Sequence, residues 1–397
     1  MSESPALALP PALALVVAGG RGSRVGDGVP KQYRSLAGIP VLRRTVQAFL
    51  RHPRIGSVRV VIHADDQALY EAAIFGLELE LPVHGGATRQ QSVAAGLASL
   101  GDGDAIVLIH DAARPLISPR LIDRCLDAAA AQRCAGRPVA VVPALPVVDS
   151  LRRGSTALVE EVDRTDLLRV QTPQCFDLRT AQTFHQRFAG AEFTDDAALA
   201  MQAGVEVATV EGDESNFKLT EPGDFSRAES LLASRTSTRT GLGFDVHAFE
   251  EGDGVWIGGI HIPHARSLKG HSDADVALHA LTDALLGAIA AGDIGDHFPP
   301  SDPQWAGAPS SLFLDHARGL VEWRGGRIEH VDVTIICETP RIGPHREAIR
   351  ARVGELLRLD LGRISVKATT TERLGFTGRG EGIAAQAIAT VSMIENP

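Results

Sequence analysis

The stretch Ala12-Leu13-Ala14-Leu15-Val16-Val17-Ala18-Gly19-Gly20-Arg21-Gly22-Ser23-Arg24 sets the reading of the N-terminal half. The apolar run Ala12–Val17 predicts a buried strand. The glycines after it predict a loop whose backbone N–H groups can approach an anion. Working outward, β-branched runs recur at Val58–Ile62, Ile106–Ile109 and Val139–Val142, the last stopped by Pro143. Helix-patterned stretches lie between them at Val41–Leu50, Gln90–Leu100 and Pro119–Gln132, with another at Pro222–Leu232. Buried strands alternating with amphipathic helices predict an α/β domain, Rossmann-like, with a mostly parallel sheet and helices on both faces.

The character changes at Ser234–Thr240, which reads SRTSTRT. It is polar and aperiodic and is taken as a linker over 234–240, between a domain at 1–233 and another at 241–397. Strand signals at Gly243–His247, Val331–Cys337, Ile364–Ala368 and Ile383–Ser392 do not alternate strictly with helix signals at Asp275–Ala291, Ser311–Trp323 and Pro344–Leu357. That pattern predicts an α+β second domain.

With 397 residues, 44% of them hydrophobic, the chain can bury two ordinary cores. A net charge of -10 argues against a nucleic-acid or membrane-surface binder, which needs a cationic face. Four cysteines without a C-x-x-C pair suit a reducing, cytoplasmic setting. The apolar run from Ala6 is interrupted by Pro10-Pro11 and precedes any Lys or Arg, so it is not expected to be a signal peptide.

The loop at Gly19 does not complete a dinucleotide fingerprint, because Val25 stands where the third glycine belongs. Arg24 and Lys31 place two cations beside it, which suits stabilisation of charge on a triphosphate attacked at its α-phosphorus. By itself the segment is equally compatible with a generic strand-to-helix turn. Further segments follow in order: Gly85-Gly86-Ala87-Thr88-Arg89-Gln90-Gln91-Ser92-Val93, His110-Asp111-Ala112-Ala113-Arg114-Pro115, Asp163-Arg164, Thr172-Pro173-Gln174, Thr194-Asp195-Asp196 and Asn216-Phe217-Lys218-Leu219-Thr220. Together they closely resemble the 2-C-methyl-D-erythritol 4-phosphate cytidylyltransferases of the non-mevalonate isoprenoid pathway. The resemblance implies that Arg24 and Lys31 stabilise the pentacoordinate phosphorus. Ala18, Gly19, Gly20, Gly22, Gly86, Arg89 and Ser92 would bind the nucleotide. Asp111 would face ribose and magnesium, and Arg164 and Lys218 would grip the acceptor phosphate. Gly19, Val25 and Ala87 depart from residues common in that family, without removing a charged group.

In the second half, Asp245 and His247 are two apart on a predicted strand and therefore share a face. Asp275, His279 and Asp283 share one face of the predicted helix, apart from a stripe of Ala277, Leu281, Leu285 and Ile289. A strand D-x-H meeting a helix histidine is a ligand set for zinc with one open position. Satisfied core histidines fit the same spacing. The stretches G-F-D-V-H at 243–247, H-S-D-A-D-V-A-L-H at 271–279, G-D-I-G-D-H-F-P at 292–299, D-V-T-I-I at 332–336 and K-A-T-T-T-E-R-L-G-F-T-G-R-G-E-G at 367–382 resemble the 2-C-methyl-D-erythritol 2,4-cyclodiphosphate synthases. That resemblance implies zinc on Asp245, His247 and His279, and magnesium on Glu372. His271 and Thr370 would stabilise the transition state. Ser272, Asp293, Gly295, Thr369, Phe376 and Arg379 would bind substrate, and Cys337–Gly343 would form a cytidine pocket.

The reading is a bifunctional enzyme. One domain would join CTP to methylerythritol phosphate. The other would cyclise the 2-phosphorylated product with release of CMP, both with magnesium and the second with zinc. The alternative is a sugar-phosphate nucleotidylyltransferase fused to a different zinc-dependent phosphate-processing domain. The resemblances also imply a trimer-forming second domain, a dimer-forming first, and hence a hexamer. A kinase acts between the two steps, and a weak complex with it stays open as a partner.

Overall fold

The computed structural model describes residues 11–20, 28–154, 156–234, 236–299, 302–305 and 307–394. The chain divides into two compact units, Met1–Ser234 with Asn396–Pro397, and Arg235–Glu395.

The first unit is built on a sheet whose strands run in the order Leu168–Val170, Ala140–Pro146, Gln174–Asp177, Ile106–Asp111, Ala12–Ala18, Ile55–Ile62 and Val83–His84. Ala208–Glu211 pairs in parallel with Ala140–Pro146. The pairings among 12–18, 55–62, 83–84 and 106–111 are parallel, whereas 174–177 and 168–170 run antiparallel to their neighbours. Alternate residues enter different cores, because successive side chains leave opposite faces of a strand. Ala14, Val16, Val60, Ile62 and Leu108 pack with Leu42, Val46, Phe49, Leu121 and Leu126 on one face. Leu15, Val61, Val107 and Ile109 pack with Val93, Leu97, Phe184 and Leu199 on the other. The doubly covered, mostly parallel sheet agrees with the sequence reading. The helices Gln67–Ile74, Leu178–Arg187 and Asp196–Gln202 are additions to it. Pro143 does not stop its strand, which continues to Pro146.

The second unit has a sheet in the order Arg266–Leu268, Thr236–Glu251, Gly382–Ile394, Gly326–Ile336 and Ile364–Thr369. Thr236–Glu251 is one strand, and Thr236 already pairs with Ile394, so 236–240 is not a linker. Backbone pairing with the last strand orders this polar stretch despite its lack of apolar periodicity. The helix Val276–Ala288 lies against one face and is buried nearly all round. Two glycines explain how close it comes. A Cβ at Gly241 would lie 2.0 Å from the Ala284 carbonyl oxygen, and one at Gly243 would lie 1.9 Å from that of Ala280. Asp245 and His247 continue the same alternation on the strand, so they share the helix-facing side. On the other side Leu242, Phe244 and Val246 are exposed, with Ile388 on the neighbouring strand. No helix among the described residues is long and apolar enough to cross a membrane.

Candidate active sites of the two units

A cavity of about 340 Å³ lies at the carboxyl ends of the first unit's parallel strands. Ligands of open α/β sheets bind at this edge. Its lining includes Ala18, Gly19, Gly20, Lys31, Gly86, Arg89, Ser92, Asp111 and Lys218. Gln32 secures the glycine loop from beneath, donating to the carbonyls of Ala18 at 2.7 Å and Gly20 at 3.0 Å. Thr88 and Gln91 form a reciprocal capping box at the start of the helix Arg89–Ser99. This fixes the entry of the loop that carries Gly85 and Gly86. Side chains are excluded there: a Cβ at Gly85 would lie 2.4 Å from Ser92 Oγ, and one at Gly86 2.5 Å from Gln91 Cβ. Ser92 Oγ donates to the Thr88 carbonyl at 2.9 Å.

Asp111 ends its strand and is 8% exposed. Arg89 Nε meets its Oδ1 at 3.2 Å, and Lys218 Nζ its Oδ2 at 2.9 Å, with Arg114 Nε 3.7 Å away. Burial alone would raise the carboxyl's pKa, but the charges of Arg89, Lys218 and Arg114 outweigh it and hold Asp111 well below the usual carboxylate range. His110 beside it is buried and pushed down to about 4. It pairs with Thr172 Oγ1 at 3.0 Å and the Arg114 carbonyl at 3.1 Å. The ring of cations does not suit Asp111 as a lone ligand for a resident magnesium ion.

In the second unit, Asp245 Oδ2 lies 3.0 Å from His247 Nε2 and 2.9 Å from His279 Nδ1, and the two ring nitrogens are 3.1 Å apart. Among the described residues this is the grouping of three that could hold a metal ion. The neighbours decide the tautomers. His247 Nδ1 faces the Lys269 carbonyl at 2.7 Å and must carry its proton, leaving Nε2 as a lone pair. Ser310 Oγ donates to Asp273, so it accepts from His279 Nε2 at 2.8 Å, leaving Nδ1 as a lone pair. Two lone pairs and a carboxylate oxygen thus converge on one point. That acceptor-only arrangement calls for a cation, and the donor set fits a divalent metal. The same field acts on protons. Burial lowers the proton affinity of His247, but Asp245 and the Lys269 carbonyl reverse this and raise its pKa. Asp245 is held low by both imidazoles against the effect of burial.

A model of the 2-C-methyl-D-erythritol 4-phosphate cytidylyltransferase family matches residues 12–234, and a YgbB family model matches 238–392. The bifunctional enzyme IspD/IspF of Rhizorhabdus wittichii is 56% identical, covering 96% of this chain and 98% of that protein. Its counterpart in Paramagnetospirillum magneticum is 54% identical over 95% and 97%. A solved structure, the bifunctional IspDF from Campylobacter jejuni, is 30% identical over 97% and 99%, with a TM-score of 0.47.

The chain belongs to the bifunctional IspD/IspF family. It is therefore an enzyme with a cytidylyltransferase unit and a cyclodiphosphate synthase unit, and the alternative second domain falls away.

Within this IspD/IspF chain the expected residues are brought together unevenly. Lys31, Arg89, Ser92, Asp111 and Lys218 share one cavity. Arg24 and Gly22 lie outside the described residues. Arg164 is exposed, donates to the Val148 carbonyl, and is not among the lining residues. The shared helical face splits. Asp275 caps the helix and accepts from the N–H groups of Gly258 at 2.8 Å and Gly259 at 2.6 Å, so of the three only His279 joins Asp245 and His247. Asp283 accepts from Ile294 N–H at 2.9 Å, tying down the turn where Asp293 caps Ile294–His297 and Gly295 follows. Ser272 Oγ reaches His279 Nε2 at 3.1 Å, so it touches the triad. His271, Thr369, Thr370, Glu372, Phe376 and Arg379 are exposed. Glu372 accepts the Thr370 hydroxyl at 2.8 Å, and Arg379 pairs with Glu381 at 2.7 Å. Sequence reasoning missed Ser310, and it gave no role to Asp273, which with Ser310 favours one tautomer of His279, or to the acid Asp196 beside Arg89, although both acids stand in the quoted motifs. The Gly241-x-Gly243 alternation ahead of D-x-H was the legible signal for the close helix.

Proposed function

We propose the following division of labour. In the first unit the acceptor's 4-phosphate oxygen attacks the α-phosphorus of CTP in line, and pyrophosphate leaves. Lys31 and Lys218 are cations fixed before the reaction, and they stabilise charge that grows on the phosphorus oxygens. The sequence resemblance assigns Arg24, with Lys31, to the pentacoordinate phosphorus and Arg164, with Lys218, to the acceptor phosphate. The glycines at 19, 20 and 86 admit the nucleotide to backbone N–H groups, and Ser92 and Arg89 complete its site. The observation that carries this reading is the single cavity containing the glycine loop, both lysines and the paired Asp111. Pyrophosphate release from CTP with methylerythritol phosphate, against the other nucleoside triphosphates, tests it.

In the second unit the substrate's 2-phosphate attacks the β-phosphorus of its own cytidine diphosphate arm, and CMP leaves. Holding both phosphates in one site makes the attack intramolecular. Asp245, His247 and His279 would hold zinc, which supplies Lewis-acid neutralisation of phosphate charge. Glu372 offers one carboxylate to magnesium arriving with the diphosphate. His271, Ser272, Thr369, Thr370, Asp293, Gly295, Phe376 and Arg379 would bind and orient the substrate, and Cys337–Gly343 would receive the cytidine. CMP release from the 2-phosphorylated cytidine diphosphate derivative, with zinc counted per chain, tests this half.

Self-association is part of the reading. The exposed residues of the second site stand on loops, at the end of the strand Ile364–Thr369 and in the short helix Gly375–Gly378, and the sheet presents Leu242 and Phe244 at 60% and 54% exposure. Apolar exposure on this scale favours burial against another copy. A trimer with sites between subunits, closed into a hexamer through the first units, fits, and light scattering checks it. Four free cysteines accord with a cytoplasmic enzyme.

A further inference from the structure

The acids of Thr194-Asp195-Asp196 have no part in the chemistry above, yet they are built into the frame of the first site. Asp195 caps the helix Asp196–Gln202, accepting Ala198 N–H at 2.8 Å, and also takes Gln174 Nε2 at 3.0 Å. Gln174 Oε1 accepts Ala197 N–H at 2.9 Å. Gln174 pairs with Ile109 on the strand that ends in Asp111, so the start of this helix is pinned to the sheet carrying the site.

Asp196 is 2% exposed and uses both oxygens. Oδ2 accepts Arg89 Nη1 at 2.8 Å, and Oδ1 meets His185 Nε2 at 3.1 Å. His185 is itself buried, its ring against Phe184. Arg89 gives Nε to Asp111, and its Nη2 is buried without a partner among the described residues. The guanidinium is thus clamped between two acids, in a residue that lines the cavity.

We infer that Asp196, oriented by His185, is a positioning residue for the nucleotide: it fixes the Arg89 guanidinium against the Asp111 carboxylate, and with it the charge of the cavity wall that CTP meets. The inference rests on the assignment of Arg89 to the nucleotide site.

The test uses the full chain and pyrophosphate release at varied CTP and varied methylerythritol phosphate. Asp196→Asn raises the KM for CTP about tenfold, the scale of one charge-assisted hydrogen bond, with kcat and the acceptor KM little changed. His185→Gln retains an N–H donor and stays within about twofold of the unaltered chain, whereas His185→Leu moves in the direction of Asp196→Asn. In an Arg89→Ala background Asp196→Asn adds nothing further to the CTP KM, because the partner it positions is gone. Equal effects of Asp196→Asn with and without Arg89 overturn the inference, as does a change confined to the acceptor KM. Should Asp196→Asn fail to fold, the two His185 variants decide, and equal CTP KM values for them overturn it. If the unaltered chain releases no pyrophosphate from CTP, the functional reading has failed. The same variants are then compared by calorimetric CTP binding, and the same pattern in Kd supports or overturns the positioning role.

Discussion

The first unit gathers its proposed nucleotide site within one chain, with glycine loop, two lysines, Arg89 and Asp111 around a single cavity. The second unit gathers a triad that could hold a metal, while His271, Thr369, Thr370, Glu372, Phe376 and Arg379 stand exposed. The difference follows from architecture. A doubly covered parallel sheet makes a crevice at its own strand ends. A sheet covered on one face has no such crevice and leaves Leu242, Phe244 and Val246 exposed. The proposed self-association would complete a site on such a unit.

The sharpest break in this comparison comes from the metal. His279→Ala, or a zinc-selective chelator with magnesium in excess, is expected to lower CMP release at least about a thousandfold, because metal-ion charge stabilisation supplies several kcal/mol at about 1.4 kcal/mol per tenfold. Pyrophosphate release stays within about twofold of the unaltered chain, since no step of the first unit draws on these ligands. Zinc content measured beside both activities decides, and full cyclisation by a zinc-free chain would falsify the triad.

Lys218→Ala tests the other unit. It should lower pyrophosphate release by about a hundred- to a thousandfold, the scale of losing one preorganised charge stabiliser. Arg164→Ala should raise the KM for the acceptor in the same assay. Neither should alter CMP release. Loss of both activities in a folded Lys218→Ala or Arg164→Ala chain would contradict the two-unit assignment.

Ser310→Ala removes the nearer of two hydroxyls at His279 Nε2, the one at 2.8 Å, and leaves Ser272 at 3.1 Å. Metal affinity should weaken by about ten- to a hundredfold, as for other partners of metal-bound histidines. A competitive chelator titration reads this directly, and unchanged affinity would show that Ser310 does not set the tautomer.

Gly243→Ala places a methyl group where the Ala280 carbonyl already sits. Overpacking of this kind costs about 1–3 kcal/mol. Cyclisation should be lost at lower temperature while the first activity keeps its profile, which heat-inactivation curves for each activity would show.

Acid should separate the units by the smallest margin. Burial acts to raise both Asp111 and Asp196, yet Arg89 and the other cations hold them below the ordinary carboxylate range. Their contribution is present above the unfolded value of about 3.9 and is lost as pH falls below it. In the second unit Asp245 behaves likewise, but burial raises Asp275 and Asp283, which bind a proton more tightly when folded. The first activity should therefore be inactivated earlier on incubation below about pH 4. Earlier loss of cyclisation, assayed after return to neutral pH with zinc restored, would reverse the comparison.

What the sequence determined by itself was local in origin. Apolar and β-branched runs located four strands of the first sheet, though not the parallel Val83–His84 and Ala208–Glu211, and helical periodicity located most helices, because each depends on neighbours along the chain. The order of motifs named residues that the fold brings together, and Asp245-x-His247 placed two polar side chains on one face of a strand. It misjudged Thr236–Thr240, where pairing with the last strand orders a polar stretch. It also grouped Asp275 with His279, though Asp275 turns back to the N–H groups of Gly258 and Gly259. Only the tertiary structure decided which distant groups meet. Arg89 and Asp196 are 107 residues apart, and His279 and Ser310 are 31 apart. No periodicity spans such separations. A buried acid or hydroxyl acquires its partner only when the sheet order and the helix packing bring the two segments together, and desolvation then makes that pairing obligatory.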